Sequence, residues 1–171
     1  MRSTDSHSHP HPLPAAGEGT VVCHTRSPEE TRAIGRKIGA VAQAGDVLLL
    51  VGELGAGKTV FSQGLGDGLS VEETVNSPTF VLLHEYHGRL TLYHYDLYRL
   101  GNIEETVSHE WQEFLYGTGV SVVEWANRAS EFLPTEHLLL EFSIESETRR
   151  VLQLTAAGRR HLELLSAVRC S

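Results

Sequence analysis

The chain has 171 residues, of which 40% are hydrophobic and 21% charged, and its formal net charge is −8. This length suits a single domain, and the acidic charge disfavours tight binding of nucleic acid by the chain alone, because nucleic-acid binders usually present a basic face. The longest apolar run covers only residues 47–51, whereas a membrane helix needs roughly 20 apolar residues. With no apolar secretory segment either, we expect a cytoplasmic protein that makes no contact with a membrane.

The first 19 residues are rich in proline and histidine. Such a composition cannot bury a core, so we predict a disordered tail at 1–19. Its alternating histidines, His7, His9 and His11, are expected to be solvated, since no second cluster completes a metal site. Cys23 and Cys170 show no metal-ligand spacing and are too few for a disulfide framework, so both are expected to be free thiols.

Regular structure is predicted from Thr20 onwards. A short strand at Val21–His24 precedes a helix that Ser27 and Glu30 would cap, with Pro28 in the first helical position. The apolar residues that follow recur at helical spacing, and glycine at 45 is expected to end the helix.

The next segment, 46–51, is almost entirely apolar and is followed by glycine, which is typical of a strand buried on both faces. A helix beginning near Lys58 contains Gly64, Gly66 and Gly68 and is expected to be short, because glycine weakens a helix. The rest of the chain predicts a hairpin of 80–86 and 90–95, a helix from Asn102 towards Tyr116, a strand at 120–124, a hairpin of 137–144 and 150–155, and a terminal helix at 162–168.

Residues 52–59 read GELGAGKT and match the phosphate-binding pattern G-x-x-x-x-G-K-[ST] in full. The glycines let the backbone wrap closely around phosphates, and the following helix adds its positive N-terminal end. In this pattern Lys58 reaches the β- and γ-phosphates, and Thr59 offers its hydroxyl to Mg²⁺. The residues predicted to bind the nucleotide are Gly52, Leu54, Gly55, Ala56, Gly57, Lys58 and Thr59, and Lys58 is also predicted to be catalytic.

The phosphate-binding pattern and the order of elements together predict the fold class. We expect an α/β, single-domain P-loop NTPase-like fold with a mixed sheet and flanking helices. The domain is expected to span 20–156, and residues 157–171 are expected to form a C-terminal tail or helix. ATP is the expected nucleotide, because the chain has no N-K-x-D tetrapeptide for reading guanine.

Asp96 and Glu124 each end a predicted apolar strand. Carboxyl ends of parallel strands face the ligand crevice, and P-loop proteins need a carboxylate on the magnesium side of the nucleotide. Either acid can hold the metal and either can orient water, so position alone leaves both assignments open. His94 is a candidate general base, but we expect it to be a neutral, hydrogen-bonded neighbour of the site. Trp125 is expected either to lie over the site or to fill the core.

Four segments, taken in chain order, resemble the bacterial TsaE family: GELGAGKT, SPTF at 77–80, HYDLYR at 94–99 and VEW at 123–125. The resemblance covers about residues 20–156. The phosphate-binding loop is shared by many families, whereas the HxDxYR and EW segments are specific to this one. Val60 departs from the family, which often has a second threonine there, but Thr59 is intact.

The resemblance implies a protein that binds ATP with Mg²⁺ and hydrolyses it slowly as the ATPase subunit for the threonylcarbamoyladenosine modification of tRNA. It implies two partner proteins related to each other, one of which transfers the threonylcarbamoyl group to the adenosine next to the anticodon. Hydrolysis would reset this complex, and tRNA would be contacted only indirectly. By the matching motifs, Thr59 and Glu124 would hold Mg²⁺, Asp96 would be an essential acid near the γ-phosphate, and residues 77–80 would be a nucleotide-sensing loop.

Two other functions stay open for a P-loop protein of this size. One is a nucleotide-gated binding module in which hydrolysis is incidental. The other is a small-molecule kinase, which needs an acceptor pocket and usually a lid arginine, for which Arg149 and Arg150 are candidates. In each case we expect the adenine to contact the segment 25–31.

Overall fold

The computed structural model describes residues 19–76, 83–98, 101 and 109–168. The strands are β1 (Thr20–Thr25), β2 (Val47–Gly52), β3 (Leu83–Tyr86), β4 (Leu92–Asp96), β5 (Val120–Glu124), β6 (His137–Ile144) and β7 (Arg150–Ala157). The helices are α1 (Pro28–Val41), α2 (Lys58–Gly68), α3 (His109–Leu115) and α4 (Arg159–Leu165), with a 3₁₀ segment at Ala126–Phe132 that the sequence did not predict. The predicted loop at 77–80 and the predicted helix start at Asn102 lie outside the described residues.

The described strands form one sheet in the order β1-β7-β6-β2-β5-β4-β3. The four central strands β6, β2, β5 and β4 are parallel. At the sides, β7 pairs antiparallel with β6, β1 pairs antiparallel with β7, and β3 pairs antiparallel with β4. The predicted mixed sheet with flanking helices, and both predicted hairpins, are confirmed. Because the central strands are parallel, Gly52, Asp96 and Glu124 all lie at the same edge of the sheet.

Each central strand has apolar side chains on both faces, as the sequence of residues 46–51 predicts. On β2, Leu48 and Leu50 belong to the core beneath α1 and α2, whereas Val47 and Leu49 belong to the core beneath α3. Successive strand residues point to opposite faces. Val122 belongs to the core beneath α1 and α2, so Glu124, two residues later on β5, faces the same side of the sheet as α2.

The start of α1 forms as predicted, although its end does not. Ser27 Oγ accepts the backbone N–H of Glu30 at 3.2 Å, and Glu30 Oε2 accepts the N–H of Arg26 at 2.7 Å. The helix ends at Val41, earlier than the predicted stop at Gly45. Gly45 instead has a φ of +91° in the turn that leads into β2.

Helices α1 and α2 pack closely against each other at positions where one of them carries glycine. The expectation of a short α2 is wrong, because the helix runs through all three of its glycines to Gly68 and has 11 residues. A Cβ atom on Gly64 would lie 2.0 Å from Arg32 O on α1, and one on Gly35 would lie 2.3 Å from Phe61 O on α2. The glycines therefore allow backbone-to-backbone packing that any larger residue would block.

Replacing Gly64 by alanine is expected to lower the free energy of unfolding by about 2 kcal/mol. Alanine gains about 1 kcal/mol of helix propensity, but overpacking against rigid backbone costs about 3 kcal/mol. Urea unfolding measures the difference. Gly101→Ala is the control, because no atom of the described residues lies within 4 Å of a Cβ atom built there. Equal stabilities for the two variants would contradict the close packing of α1 on α2.

Cys23 is disulfide-bonded in the structure, so the expectation of a free thiol is wrong for this residue. It lies on β1 and is buried in the core beneath α1. The spacing of cysteines along a chain does not report their distance in a fold, which is why the sequence interpretation failed. Cys170 lies outside the described residues.

The terminal helix α4 begins at Arg159, before the predicted start at Leu162, and packs on the sheet. Arg160 forms an ion pair of 2.7 Å with Asp46, which is itself buried at the start of β2. His161 Nε2 accepts the backbone N–H of Val47 at 3.2 Å. Helix α4 is therefore attached to the edge of the sheet opposite the phosphate-binding loop.

No helix among the described residues is long and apolar enough to cross a membrane.

Two buried histidines near α4 predict that stability falls in mild acid. Burial lowers the pKa of His137, although its Nδ1–H donates to Pro134 O at 2.8 Å, and burial also lowers the pKa of His161. Below a pH of about 6.5 the unfolded state binds protons that the folded state excludes. The free energy of unfolding should therefore decrease from pH 7.5 to 5.5, with a slope of up to about 1.4 kcal/mol per histidine and pH unit.

Urea unfolding at several pH values measures this slope. The double variant that carries both His137→Asn and His161→Gln is compared with the wild type, because the amide side chains keep the polar contacts and do not titrate. A slope unchanged in that variant would show that other groups cause the acid sensitivity.

Candidate functional site

The GELGAGKT loop joins β2 to α2 at the carboxyl edge of the sheet. Gly55 and Gly57 have φ values of +82° and +105°, in the left-handed region that favours glycine. Gly57 leads directly into Lys58, the first residue of α2, so the first N–H groups of this helix face the loop. Leu54 is exposed at the tip of the loop and Ala56 is buried beneath it. The loop has the local geometry of a phosphate site.

Lys58 is buried, with only 5% of its surface exposed. Its Nζ donates hydrogen bonds to Gly52 O at 2.6 Å and to Glu53 O at 2.8 Å. The Nζ also lies 4.2 Å from the centre of the Trp125 ring. Burial lowers the pKa of Lys58, and the attraction of nearby carboxylates opposes this effect. The lysine charge is thus held inside the curve of the loop.

Glu124 is the centre of a buried polar cluster under the start of α2. Thr59 Oγ1 lies 3.4 Å from Glu124 Oε1 and 3.5 Å from Oε2, and Ser62 Oγ lies 3.3 Å from Oε1. His94 Nε2 lies 2.9 Å from the same Oε1. The structure therefore brings together Thr59 and Glu124, the two residues that the family resemblance pairs as metal ligands.

Asp96 lies directly beside Glu124, because the two residues are opposite each other in the register of β4 and β5. Asp96 Oδ1 accepts the backbone N–H of Tyr98 at 3.0 Å, and Leu97 N–H donates to Glu124 O at 3.1 Å. Both predicted acids thus sit at neighbouring strand ends, next to the phosphate-binding loop.

Trp125 lies over the site and not simply in the core. Its backbone is in the left-handed region, with a φ of 58°, which is strained for a residue other than glycine. The indole packs against Tyr98, two residues after Asp96, with ring centres 4.8 Å apart and an angle of 38° between the ring planes. Arg128 Nη1 donates to Leu97 O at 2.9 Å and to Tyr98 O, so the 3₁₀ segment holds the turn after β4.

A cavity of about 330 Å³ opens beside the phosphate-binding loop. Its size is within the range of small-molecule sites. Arg150 Nη2 donates to Gly55 O at 3.3 Å and so closes one side of it. The segment 25–31, which we expect to contact adenine, forms part of the wall of this cavity. The wall includes Arg26, Ser27, Thr31, Val60, Thr148 and Arg150.

A larger cavity, of about 380 Å³, lies at the opposite edge of the sheet. Asp46, Arg160 and His161 line it, and neither the phosphate-binding loop nor the two strand-end acids reach it. The size of a cavity therefore does not identify a candidate site in this protein.

The residues around Thr59 suit a Mg²⁺ ion that also binds phosphate and water oxygens. They do not suit a metal ion whose ligands all come from the protein. Among the described residues, no group of three or more histidine, cysteine or acidic side chains is arranged to hold a metal ion. Magnesium typically takes one or two carboxylates, with phosphate and water oxygens completing its octahedron. Two adjacent ligands of such an ion lie roughly 3 Å apart, so the 3.4 Å between Thr59 Oγ1 and Glu124 Oε1 needs only a small adjustment.

Sequence reasoning missed two side chains of this site. Ser62 is one helical turn after Lys58, and that spacing on α2 placed it on the same face as Lys58 and Thr59. Arg128 carried no comparable signal, because its contacts run to backbone carbonyls in the turn after β4, far away in the chain.

A mixed sheet with parallel central strands, a phosphate-binding loop between strand and helix, and two acids at adjoining strand ends define a P-loop NTPase-like α/β protein. The family model for "Threonylcarbamoyl adenosine biosynthesis protein TsaE" matches residues 25–152. The chain belongs to the TsaE family.

Curated relatives and a solved structure agree with this assignment. The chain is 44% identical to the tRNA threonylcarbamoyladenosine biosynthesis protein TsaE of Bacillus subtilis, over 80% of this chain and 86% of the relative. It is 43% identical to the protein of the same name from Treponema pallidum, over 75% of this chain and 95% of the relative. The crystal structure of Bacillus subtilis YdiB matches with a TM-score of 0.71 and 38% identity, covering 86% of this chain and 94% of that one.

Proposed function

We propose that this protein binds ATP with Mg²⁺, hydrolyses it slowly and acts in the biosynthesis of threonylcarbamoyladenosine in tRNA. The names of its relatives support the pathway. The observation that carries the ATPase part is the Thr59 hydroxyl beside the buried Glu124 carboxylate, at the start of the helix that follows the phosphate-binding loop.

Each residue of the site has a distinct role in this proposal. The loop N–H groups and Lys58 bind the β- and γ-phosphates, and Thr59 and Glu124 hold Mg²⁺. When bound, Mg²⁺ supplies positive charge that offsets the charge of the phosphates. Asp96 accepts a hydrogen bond from the attacking water and so orients it towards the γ-phosphate.

Two partner proteins related to each other complete the proposed activity, and one of them transfers the threonylcarbamoyl group to tRNA. Hydrolysis by this chain resets the complex for another turnover. The net charge of −8 is consistent with tRNA being held by the partners and contacted only indirectly. We place the complex in the cytoplasm.

Deletion of the gene and analysis of tRNA nucleosides test the pathway. We expect threonylcarbamoyladenosine to be lost and then restored by the wild-type chain. Phosphate release from ATP, measured with and without the two partner proteins, tests the ATPase and should rise on their addition. A phosphorylated metabolite in mass spectra would instead indicate the kinase, and unchanged tRNA nucleosides would contradict the pathway.

A further inference from the structure

His94 is a fully buried histidine with a single strong polar contact in the described structure. Its side chain is 0% exposed, and its Nε2 lies 2.9 Å from Glu124 Oε1. On β4 it lies in step with Leu92, which faces the core beneath α2. Glu124 faces the same side of the sheet, so the two side chains meet beneath the start of α2.

In the described part of the chain, the other ring nitrogen of His94 makes no polar contact that would account for a histidine in the core. Its Nδ1 is buried and has no hydrogen-bond partner among the described residues. A leucine at this position would leave no polar atom unsatisfied, and a buried unsatisfied polar atom is unfavourable. Since the carboxylate is an acceptor, the Nε2 atom carries the proton and donates it to Glu124.

We propose that His94 is a positioning residue that aims the Glu124 carboxylate at Mg²⁺. This rests on the proposed function of the site. A glutamate side chain has three rotatable bonds and must lose that freedom to hold a metal ion. The imidazole ring is locked between the sheet and α2, so its N–H fixes Oε1 before the metal binds.

Oε1 of Glu124 also faces the hydroxyls of Thr59 and Ser62 at 3.4 and 3.3 Å. The bond from His94 is shorter, at 2.9 Å, and comes from the sheet and not from α2. It therefore holds the carboxylate even when the Thr59 hydroxyl turns towards the metal. Loss of this bond should weaken the response to Mg²⁺ and leave the phosphate-binding loop unchanged.

Titration calorimetry of the full chain with a non-hydrolysable ATP analogue, over a range of MgCl₂ concentrations, tests the proposal. We expect His94→Leu to raise the Mg²⁺ concentration for half-maximal tightening by about tenfold or more. The affinity for the analogue in EDTA should change by less than about threefold, because the loop is intact. His94→Gln, which keeps an N–H near the position of Nε2, should restore the Mg²⁺ response, whereas the shorter His94→Asn should not.

His84→Leu is the matched control. His84 lies opposite His94 on the neighbouring strand β3, so the two side chains share a face, but His84 contacts Tyr86 and not Glu124. We expect this variant to respond to Mg²⁺ as the wild type does. If His94→Leu does not fold, the Gln and Asn variants decide, since equal Mg²⁺ responses for them would overturn the proposal.

A normal Mg²⁺ response in a folded His94→Leu variant would also overturn it, while the proposed function would stand. If the wild-type chain binds the analogue without any response to Mg²⁺, the proposed function fails and the role of His94 fails with it.

Discussion

Replacing Lys58 by alanine is expected to abolish ATP hydrolysis and to weaken ATP binding by about 100-fold or more. The substitution removes the cation that the loop holds between Gly52 O and Glu53 O. A charge-assisted bond to phosphate contributes roughly 3 kcal/mol, which corresponds to about 100-fold in affinity. Phosphate release with the partner proteins present, and calorimetric titration with ATP, measure the two effects.

The variant should remain folded, since an alanine in the first turn of α2 is a good helix residue. Lys37, the only other lysine in the chain, is exposed on α1, and Lys37→Ala is the matched control. It should bind and hydrolyse ATP as the wild type does. Wild-type hydrolysis by a folded Lys58→Ala protein would contradict the assignment of the loop as a phosphate site.

Removing the charge of Glu124 and that of Asp96 should have different effects, although the two acids lie side by side. Glu124→Gln should abolish the increase in ATP affinity that Mg²⁺ produces, because the cluster with Thr59 loses its anion. Asp96→Asn should leave ATP affinity within about threefold but lower hydrolysis by about 100-fold or more, as expected for a group that orients water. Calorimetry with and without Mg²⁺, and phosphate release, separate the two.

Glu85→Gln is the control for both variants, because Glu85 is exposed on β3, away from the loop. The assignment of roles would be reversed if Asp96→Asn lost the Mg²⁺ response and Glu124→Gln kept it. Such a result would leave the site itself in place, with its two acids exchanged.

The predicted elements that the structure confirms depend on local patterns. A run of apolar residues followed by glycine and GKT identified β2 and the loop after it, because a buried strand and a phosphate-binding turn each need particular residue types at fixed positions. Asp96 and Glu124 were found in the same way, since each follows an apolar strand. The cap by Ser27 is also local and formed as predicted, whereas Glu30 accepts the N–H of Arg26 and not that of Ser27.

The wrong predictions concern residues whose surroundings come from distant parts of the chain. The glycines of α2 weaken a helix in isolation, but the packing of α1 against Gly64 keeps the helix whole. For Cys23, the sequence showed only spacing along the chain, and the fold decides which residues meet.

The sequence by itself determined the fold class, the position of the GELGAGKT loop, the two acids at strand ends and the order of the main elements, because residue type and local spacing suffice for each of these. Only the tertiary structure decided which side chains meet at the site. The parallel register of β4 and β5 sets Asp96 beside Glu124, and the alternation of side chains turns His94 and Glu124 towards Thr59 on α2. These contacts join residues far apart in the chain, and their distances follow from strand order and helix packing, which no local pattern encodes.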